Sequence, residues 1–368
     1  MMNALERRST FALSSIFALR MLGLFMIIPV FSVAGQAYQY ATPALIGLAV
    51  GVYGLTQALL QIPFSLIADR YSRKPLIVLG LLLFALGGAI AAMSDSIYGV
   101  IIGRAIAGGG AVSAVVMALL ADVTREENRM KAMAIMGMSI GLSFVVAFSL
   151  GPWLTGLVGI SGLFWVTTVM GLAAIAMLFM VPKVTRHHKN FQQGYLTQLK
   201  QVLQIGDLNR LHVSVFTLHL LLTAMFIYVP SQLIEFADLP LSSHGLVYLP
   251  LLVLSLFFAF PSIILAEKYH KMRAIFLVAI SGIILGLMVM VFGFESKYIL
   301  LIGLGLFFIA FNVMEALLPS WLSKAAPIQS KATAMGVNAS SQFLGAFFGG
   351  MIGGQLLLLN NTSMGWSI

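Results

Sequence analysis

One carboxylate stands well inside a long apolar run of this chain. Glu315 lies within residues 298–322, and Asn312 precedes it by one helical turn, so the two would share a helix face. A carboxyl group whose surroundings alternate between dry and wet can take up and release a proton. Three roles for Glu315 are therefore open: proton coupling, a fixed pair with Arg20 or His219, or contact with a substrate.

Basic side chains also stand inside apolar runs, at Arg20, Arg104 and His219. A lone arginine in a membrane-spanning helix costs about 2.5–3.5 kcal/mol on insertion scales, so each arginine should face a cavity or a partner. Amide side chains recur every four residues in two other runs and would either line a wet cavity or hydrogen-bond between helices. These amides are Gln57 and Gln61 in one run, and Asn338 and Gln342 in the other.

The remaining composition excludes most other chemistry. With 9% charged residues, 60% hydrophobic residues and no cysteine, the chain has neither the polar surface of a soluble protein nor a disulfide framework. Its six histidines are too sparse for a metal site, and no nucleophile, base and orienting group converge by their spacing. We therefore expect no metal, no cofactor and no enzymatic activity.

Membrane-spanning helices must position these residues. The mean hydropathy is +0.99, and bounded apolar runs of about 20 residues, long enough to cross a bilayer as helices, recur along the whole chain. The sequence predicts eleven spans, at residues 11–34, 44–66, 76–93, 97–121, 131–155, 161–181, 211–233, 244–266, 273–293, 298–322 and 331–359.

The distribution of Lys and Arg predicts how these spans are oriented. Most of the 21 basic residues fall at the N-terminus and in alternate connections, which the positive-inside rule assigns to the cytoplasm. The net charge of +9 is thus spread over short segments, so it needs no nucleic-acid partner. We expect a monomer that crosses the cell (inner) membrane several times, with a cytoplasmic N-terminus and the lipid bilayer around it.

A repeat divides the chain. The segment around Asp69 resembles the segment around Glu267, and the two positions are 198 residues apart. The sequence therefore predicts two parallel six-helix units: an N-terminal half (1–181) and a C-terminal half (211–368), joined by a cytoplasmic linker (182–210) that contains a short surface helix. The same offset places a twelfth span at 359–379, which runs past the last residue, Ile368, so we expect the second copy to be truncated.

The loop after the second span carries a recognisable motif, Ser65-Leu-Ile-Ala-Asp-Arg-Tyr-Ser-Arg-Lys-Pro75. It resembles the signature loop of the major facilitator superfamily, with serines at both glycine positions. The resemblance implies an all-α polytopic fold and a conformational gate in which an acid and its neighbouring bases hold the two halves together. Plain topology signalling by the basic residues is the alternative. The gate residues would be Asp69, Arg70, Arg73 and Lys74, joined by Asp122 and Arg125.

Two further segments extend the resemblance. Arg104 followed by Gly108-Gly-Gly110 is similar to the arginine-centred motif of the superfamily, and Gly151-Pro152 is similar to its antiporter motif. The Gly151-Pro152 pair also removes a helix hydrogen bond, which predicts a bend in the fifth span. Elsewhere, glycines one turn apart predict close helix contacts: Gly137 and Gly141 in the fifth span, and Gly345, Gly349 and Gly353 in the eleventh.

The chain as a whole resembles the YajR-type branch of the superfamily, near the drug:proton antiporters. That resemblance implies a secondary active transporter that works by alternating access and exports a small amphipathic organic compound in exchange for protons. Two alternatives stay open. One is an uncoupled or uptake carrier of the same fold, and the other is a transport-incompetent truncated membrane protein.

Overall fold

The computed structural model describes residues 2–182, 195–293, 295–327 and 330–364, without the side chains of residues 69, 70, 195, 196, 332 and 360–364. These residues form thirteen α-helices. They are α1 (Ala4–Phe25), α2 (Ile28–Ala34), α3 (Pro43–Arg70), α4 (Arg73–Ala92), α5 (Ile97–Gly109), α6 (Ser113–Val123), α7 (Glu126–Leu178), α8 (Tyr195–Gln204), α9 (Gly206–Glu235), α10 (His244–Lys268), α11 (Met272–Phe292), α12 (Lys297–Ala325) and α13 (Lys331–Met364).

The helices account for all eleven predicted spans. Ten helical segments of the described chain are long and apolar enough to cross a membrane, and one of them, α7, contains both the fifth and the sixth predicted span. The break between those two spans is Gly159, with φ +69° and ψ 179° inside the 53-residue helix. Side-chain-bearing residues rarely adopt that backbone conformation, so a glycine permits the break.

Helix ends follow local sequence signals. Asn3 and Glu6 form a capping box at the start of α1, and Thr42 caps α3 ahead of Pro43. In the predicted linker, α8 has its Val202 side chain fully buried. Residues 183–194 of that linker lie outside the described chain, and the division into two halves stays a prediction.

Helices α1–α7 pack mainly against one another, as do α9–α13, and the most extensive helix contacts between these two groups are those of α3 with α13, α7 with α10, and α2 with α9. We call the side that carries Arg7, Arg73, Arg125, Lys271 and Lys324 the basic face, because successive spans return these residues to the same side. The opposite side is the far face.

The seam between the two groups is tightly packed toward the far face. A Cβ atom at Gly51 on α3 would lie 2.7 Å from the Phe347 carbonyl oxygen on α13, and one at Gly354 would lie 2.6 Å from the Pro43 carbonyl oxygen. Gly245 on α10 meets the Ser149 carbonyl of α7 in the same way. The helices touch through their backbones here, so the far face is closed along both pairs.

The same helices separate toward the basic face. A Cβ atom at Gly137 or Gly141 on α7, or at Gly336 on α13, would meet no atom within 4 Å. The predicted close contact at Gly137 and Gly141 is therefore wrong, because the side of α7 that carries these glycines borders open space. Another side of the same segment stays packed against α1, where Ser139 and Ser143 donate to backbone carbonyls. The contact predicted at Gly345, Gly349 and Gly353 is confirmed, because these glycines abut the backbone of α9. The molecule is closed at the far face and open at the basic face.

Candidate proton and substrate site

Arg20 is buried in α1, with 2% of its surface exposed, and neutral oxygens surround it. Its guanidinium donates to Ser113 Oγ at 2.6 Å, to Tyr53 Oη at 2.9 Å and to Gln57 Oε1. These partners lie on α6 and α3, so one charge ties three helices together. The predicted partner of this arginine is present, and it is a set of dipoles rather than Glu315.

Arg104 lies next to the same cluster. It is 3% exposed, and it donates from Nε to the Ala49 carbonyl and from Nη2 to the Val50 carbonyl at 3.1 Å. Its guanidinium carbon lies 5.7 Å from the centre of the Tyr53 ring, a cation–π arrangement. Tyr53 thus contacts both arginines, one through its hydroxyl group and one through its ring. Neither arginine pairs with a carboxylate within the described residues.

His219 joins three helices on the other side of the seam. Its Nδ1 lies 3.0 Å from the Val215 carbonyl oxygen on α9. Its Nε2 lies 2.7 Å from Gln342 Nε2 on α13 and 3.6 Å from Glu315 Oε2 on α12. Histidine, glutamine and glutamate therefore converge on one imidazole nitrogen.

The hydrogen bonds define which proton this imidazole carries. A carbonyl oxygen only accepts, so Nδ1 holds the hydrogen that it donates to Val215. In the neutral ring Nε2 then has a lone pair and accepts from the Gln342 amide, which leaves nothing to offer Glu315. A second proton on the ring would let Nε2 donate to the carboxylate. The neutral imidazole and the ionised carboxylate together carry one titratable proton, on Nδ1. The arrangement offers a place for a second proton, between Nε2 and the carboxylate.

Glu315 is the accessible member of this group. The exposed fraction of its side chain is 40%, against 10% for His219. One carboxylate oxygen is nevertheless buried without a hydrogen bond from the described residues. Glu315 thus has one buried oxygen beside His219 and another part of its side chain open to the space between the helices. Such a carboxylate can bind a proton and can contact a substrate.

The predicted amide stripes make interhelical bonds at two of their four positions, Gln57 to Arg20 and Gln342 to His219. Gln61 and Asn338 are buried, at 3% and 6% exposure. Asn312 donates to Ser255 Oγ on α10 at 2.8 Å and so turns away from Glu315, although the two share a helix.

Aromatic rings connect the two helix groups at the seam. Phe144 on α7 stacks on Phe311 of α12, with ring centres 6.2 Å apart and planes 16° apart. Phe25 contacts Phe144 on one side, and His219 lies 5.9 Å from Phe311 on the other. Phe148 on α7 meets Phe226 on α9 edge to face, with ring centres 4.4 Å apart. The chain has 26 phenylalanines, most on apolar helices, so spacing alone could not single out these rings.

The predicted gate residues form contacts within the first helix group. Arg73 at the start of α4 pairs with Asp122 at the end of α6, at 2.9 Å, and Lys74 donates to the Val181 carbonyl. The side chains of Asp69 and Arg70 lie outside the described residues, so their part in the gate stays a prediction. Helical dihedrals continue through Gly151 and Pro152, and the bend expected there also stays a prediction.

Glu6 is a functional candidate that the sequence reasoning missed. It is 2% exposed and accepts from the Arg125 backbone N–H at 2.8 Å, from Arg125 Nε at 3.1 Å and from Asn128 at 3.1 Å. Its carboxylate raises the pKa of Arg125 above the usual range. The Asn3-x-x-Glu6 capping pattern marks the helix start but gives no sign of a partner 119 residues away.

Comparisons with known proteins agree with this architecture. The family model described as Major Facilitator Superfamily matches residues 13–350. The inner membrane transport protein YajR of Escherichia coli is 46% identical over 351 residues, which cover 95% of this chain and 77% of that protein. Multidrug resistance protein 2 of Bacillus subtilis is 27% identical over 364 residues, which cover 95% and 88% of the two chains.

Solved structures share the fold at low identity. A bacterial homologue of the human lysosomal transporter Spinster, solved in an inward-facing and occupied conformation, superposes with a TM-score of 0.80 at 16% identity, over 96% of this chain and 82% of that one. The matching family model, the identity to YajR and the shared all-helical fold lead to one conclusion: the chain belongs to the major facilitator superfamily of membrane transporters, and within it to the YajR type.

Proposed function

We propose that this transporter exports small amphipathic organic compounds in exchange for protons, and that His219 and Glu315 form its proton-coupling pair. The observation that carries the proposal is the single imidazole nitrogen shared by an amide and a carboxylate. A group whose hydrogen-bond partner changes with its protonation state is suited to link a proton to a conformational change.

Proton uptake would rearrange contacts between three helices. With one added proton, His219 Nε2 donates to Glu315, and Gln342 must turn its amide or leave. Because Gln342 lies on α13, which closes on α3 at the far face, the exchange of partners changes how α13 is held against α9 and α12. A protonation step at the pair can thereby bias which face of the molecule is open.

The open basic face supports alternating access. Binding from that side would give a compound access to Glu315, while the backbone contacts at Gly51 and Gly354 close the far side. We call the ring pairs Phe144–Phe311 and Phe148–Phe226 the aromatic seam. Rocking the two helix groups about this aromatic seam would open the far face and close the basic one. Under the predicted orientation the basic face is cytoplasmic, so the cycle moves the compound outward as the proton moves inward.

The surroundings of the pair support an amphipathic compound. Phe144 and Phe311 provide stacked apolar surface, and Glu315 provides a carboxylate beside it. Rings of this kind tolerate apolar bodies of varied shape, and a carboxylate favours a cationic or hydrogen-bond-donating group. Arg20 and Arg104 are buried and hydrogen-bonded in this conformation, so they offer no equivalent site for an anion.

The test is pH-driven accumulation in proteoliposomes, with a panel of lipophilic cations and organic anions. The parent protein should concentrate at least one cation when a pH gradient is imposed. Glu315→Gln should keep exchange of that compound and lose the accumulation, because the amide cannot carry the proton. Glu235→Gln, the same change on an exposed side chain at the far-face end of α9, is the control and should behave like the parent.

Two results would count against the proposal. Equal accumulation by Glu315→Gln and the parent would make the pair a fixed structural contact. Downhill movement alone, in the parent as well, would favour the uncoupled carrier of the same fold.

A further inference from the structure

A cavity at the basic face lies apart from the seam, where α10 ends, α11 begins and α12 ends. Its volume is about 660 Å³, within the range of small-molecule sites. Polar and aromatic side chains from all three helix ends line it, namely Glu267, His270, Lys271, Arg273, Trp321 and Lys324.

The lining is basic, and part of its charge is uncompensated. Glu267 pairs with Lys324 at 3.2 Å and accepts from Ser320 Oγ at 2.5 Å, which occupies one acid and one base. Lys271 and Arg273 are exposed and form no ion pair with any residue that the structure describes. Two positive charges therefore face the cavity without a carboxylate partner.

The cavity also borders surface that would face lipid. Trp321 packs edge-on against Phe276, with ring centres 5.6 Å apart, and tryptophan is enriched where headgroups meet hydrocarbon. One turn beyond the lining residues, Ile264 and Leu277 expose 59% and 62% of their surfaces. An occupant with a charged end in the cavity would have an apolar path along α10 and α11 for the rest of its length.

We propose that this cavity binds the phosphate headgroup of an anionic phospholipid. Lys271 and Arg273 would contact the phosphate, Lys324 would lie beside it, and the acyl chains would run along the exposed apolar side chains of α10 and α11. Basic pockets between helices at the cytoplasmic surface are a known way for membrane proteins to hold such headgroups. The apolar border favours a lipid over a soluble anion, which would gain nothing from Ile264 or Leu277.

Trp321 makes the occupant directly observable. In the full chain, changing Trp153, Trp165 and Trp366 to Phe leaves Trp321 as the one indole. Phosphatidylglycerol with brominated acyl chains should then quench Trp321 fluorescence at lower mole fraction than brominated phosphatidylcholine. Replacing both Lys271 and Arg273 by Gln should weaken the preference for phosphatidylglycerol by about 20- to 30-fold, since each basic residue near an anionic surface contributes about fivefold in affinity.

The controls distinguish a specific headgroup site from general attraction of anionic lipid to the basic face. Arg7→Gln with Arg8→Gln removes the same charge from exposed positions elsewhere on the basic face and should leave the preference unchanged. Equal loss in both double variants would overturn the proposal, and so would equal quenching by the two lipids in the single-tryptophan protein. Displacement of phosphatidylglycerol by inorganic phosphate at matched ionic strength would also overturn it, by making the cavity a site for a soluble anion. The comparison of the two lipids in the single-tryptophan protein uses neither double variant, so that arm of the test does not depend on how well they fold.

Discussion

At the scale of single residues, the buried Arg20 has hydroxyl and amide partners, whereas His219 has an amide and a carboxylate beside one ring nitrogen. Arg20 has three neutral oxygens as partners and no carboxylate among the described residues. His219 has the Glu315 carboxylate at 3.6 Å and the Gln342 amide at 2.7 Å from the same nitrogen. This difference is why we assign a structural role to the arginine cluster and proton coupling to the histidine pair.

Arg20→Ala should destabilise the protein by about 2 kcal/mol, because three interhelical hydrogen bonds of about 0.6 kcal/mol each are lost. The measurement is reversible unfolding of the purified protein in mixed micelles. Arg8→Ala removes an exposed arginine near the start of the same helix, α1, and should change the stability little. Equal effects of the two substitutions would show that the Arg20 cluster contributes nothing to stability.

The sequence indicated which residues carry chemistry and named His219 as one possible partner of Glu315, which the structure confirms, but it did not identify their other partners. Glu315, His219 and Arg20 stand out because charge inside an apolar run is costly, and that signal is local. The contact of Gln342 with His219 joins positions 123 residues apart, so it depends on packing that no spacing reports. Glu6 escaped notice for the same reason, since its partner Arg125 lies on a distant turn.

At the scale of helices, hydropathy predicted every span, whereas the breaks and contacts needed the structure. The fifth and sixth spans were predicted at 131–155 and 161–181, which leaves their junction at 156–160, and the structure places the break there, at Gly159. Hydropathy does not report the left-handed backbone conformation that makes the break. Glycine spacing predicted close packing for both α7 and α13 and was right only for α13. A glycine row permits a close contact, and the conformational state of the molecule determines whether the contact is made.

The backbone contact between α3 and α13 at Gly51 gives a prediction at the scale of helices. Gly51→Leu should prevent closure of the far face, because even a Cβ atom there would lie 2.7 Å from the Phe347 carbonyl oxygen. The chain has no native cysteine, so spin labels can be attached to cysteines introduced at Tyr40 and Leu356. The labels should move apart by more than about 2 Å, and the transport rate should fall.

Gly137→Leu is the matched control, because its Cβ would meet no atom within 4 Å. It should leave the distance between the labels unchanged. If Gly51→Leu also left the distance and the transport rate as they are, the backbone contact at α3 and α13 would not be what closes the far face.

At the scale of the whole molecule, the far face is closed and the basic face is open, which is one of the two states that the proposed alternating-access cycle requires. The two helix groups meet through glycine backbones, the aromatic seam and the helices that carry His219, Glu315 and Gln342. The proposed coupling needs only that protonation of this pair shift the balance between the two states. The ratio of states moves tenfold for every 1.4 kcal/mol of difference.

The most direct measurement of this coupling runs the exchange in reverse, with no pH gradient imposed. A gradient of the transported cation across proteoliposomes should drive protons the opposite way, read as a change in the fluorescence of a pH dye trapped inside. We predict proton movement in the parent and in Glu235→Gln, and none in Glu315→Gln while that variant still exchanges the cation. Cation movement without proton movement in the parent would contradict the proposed function.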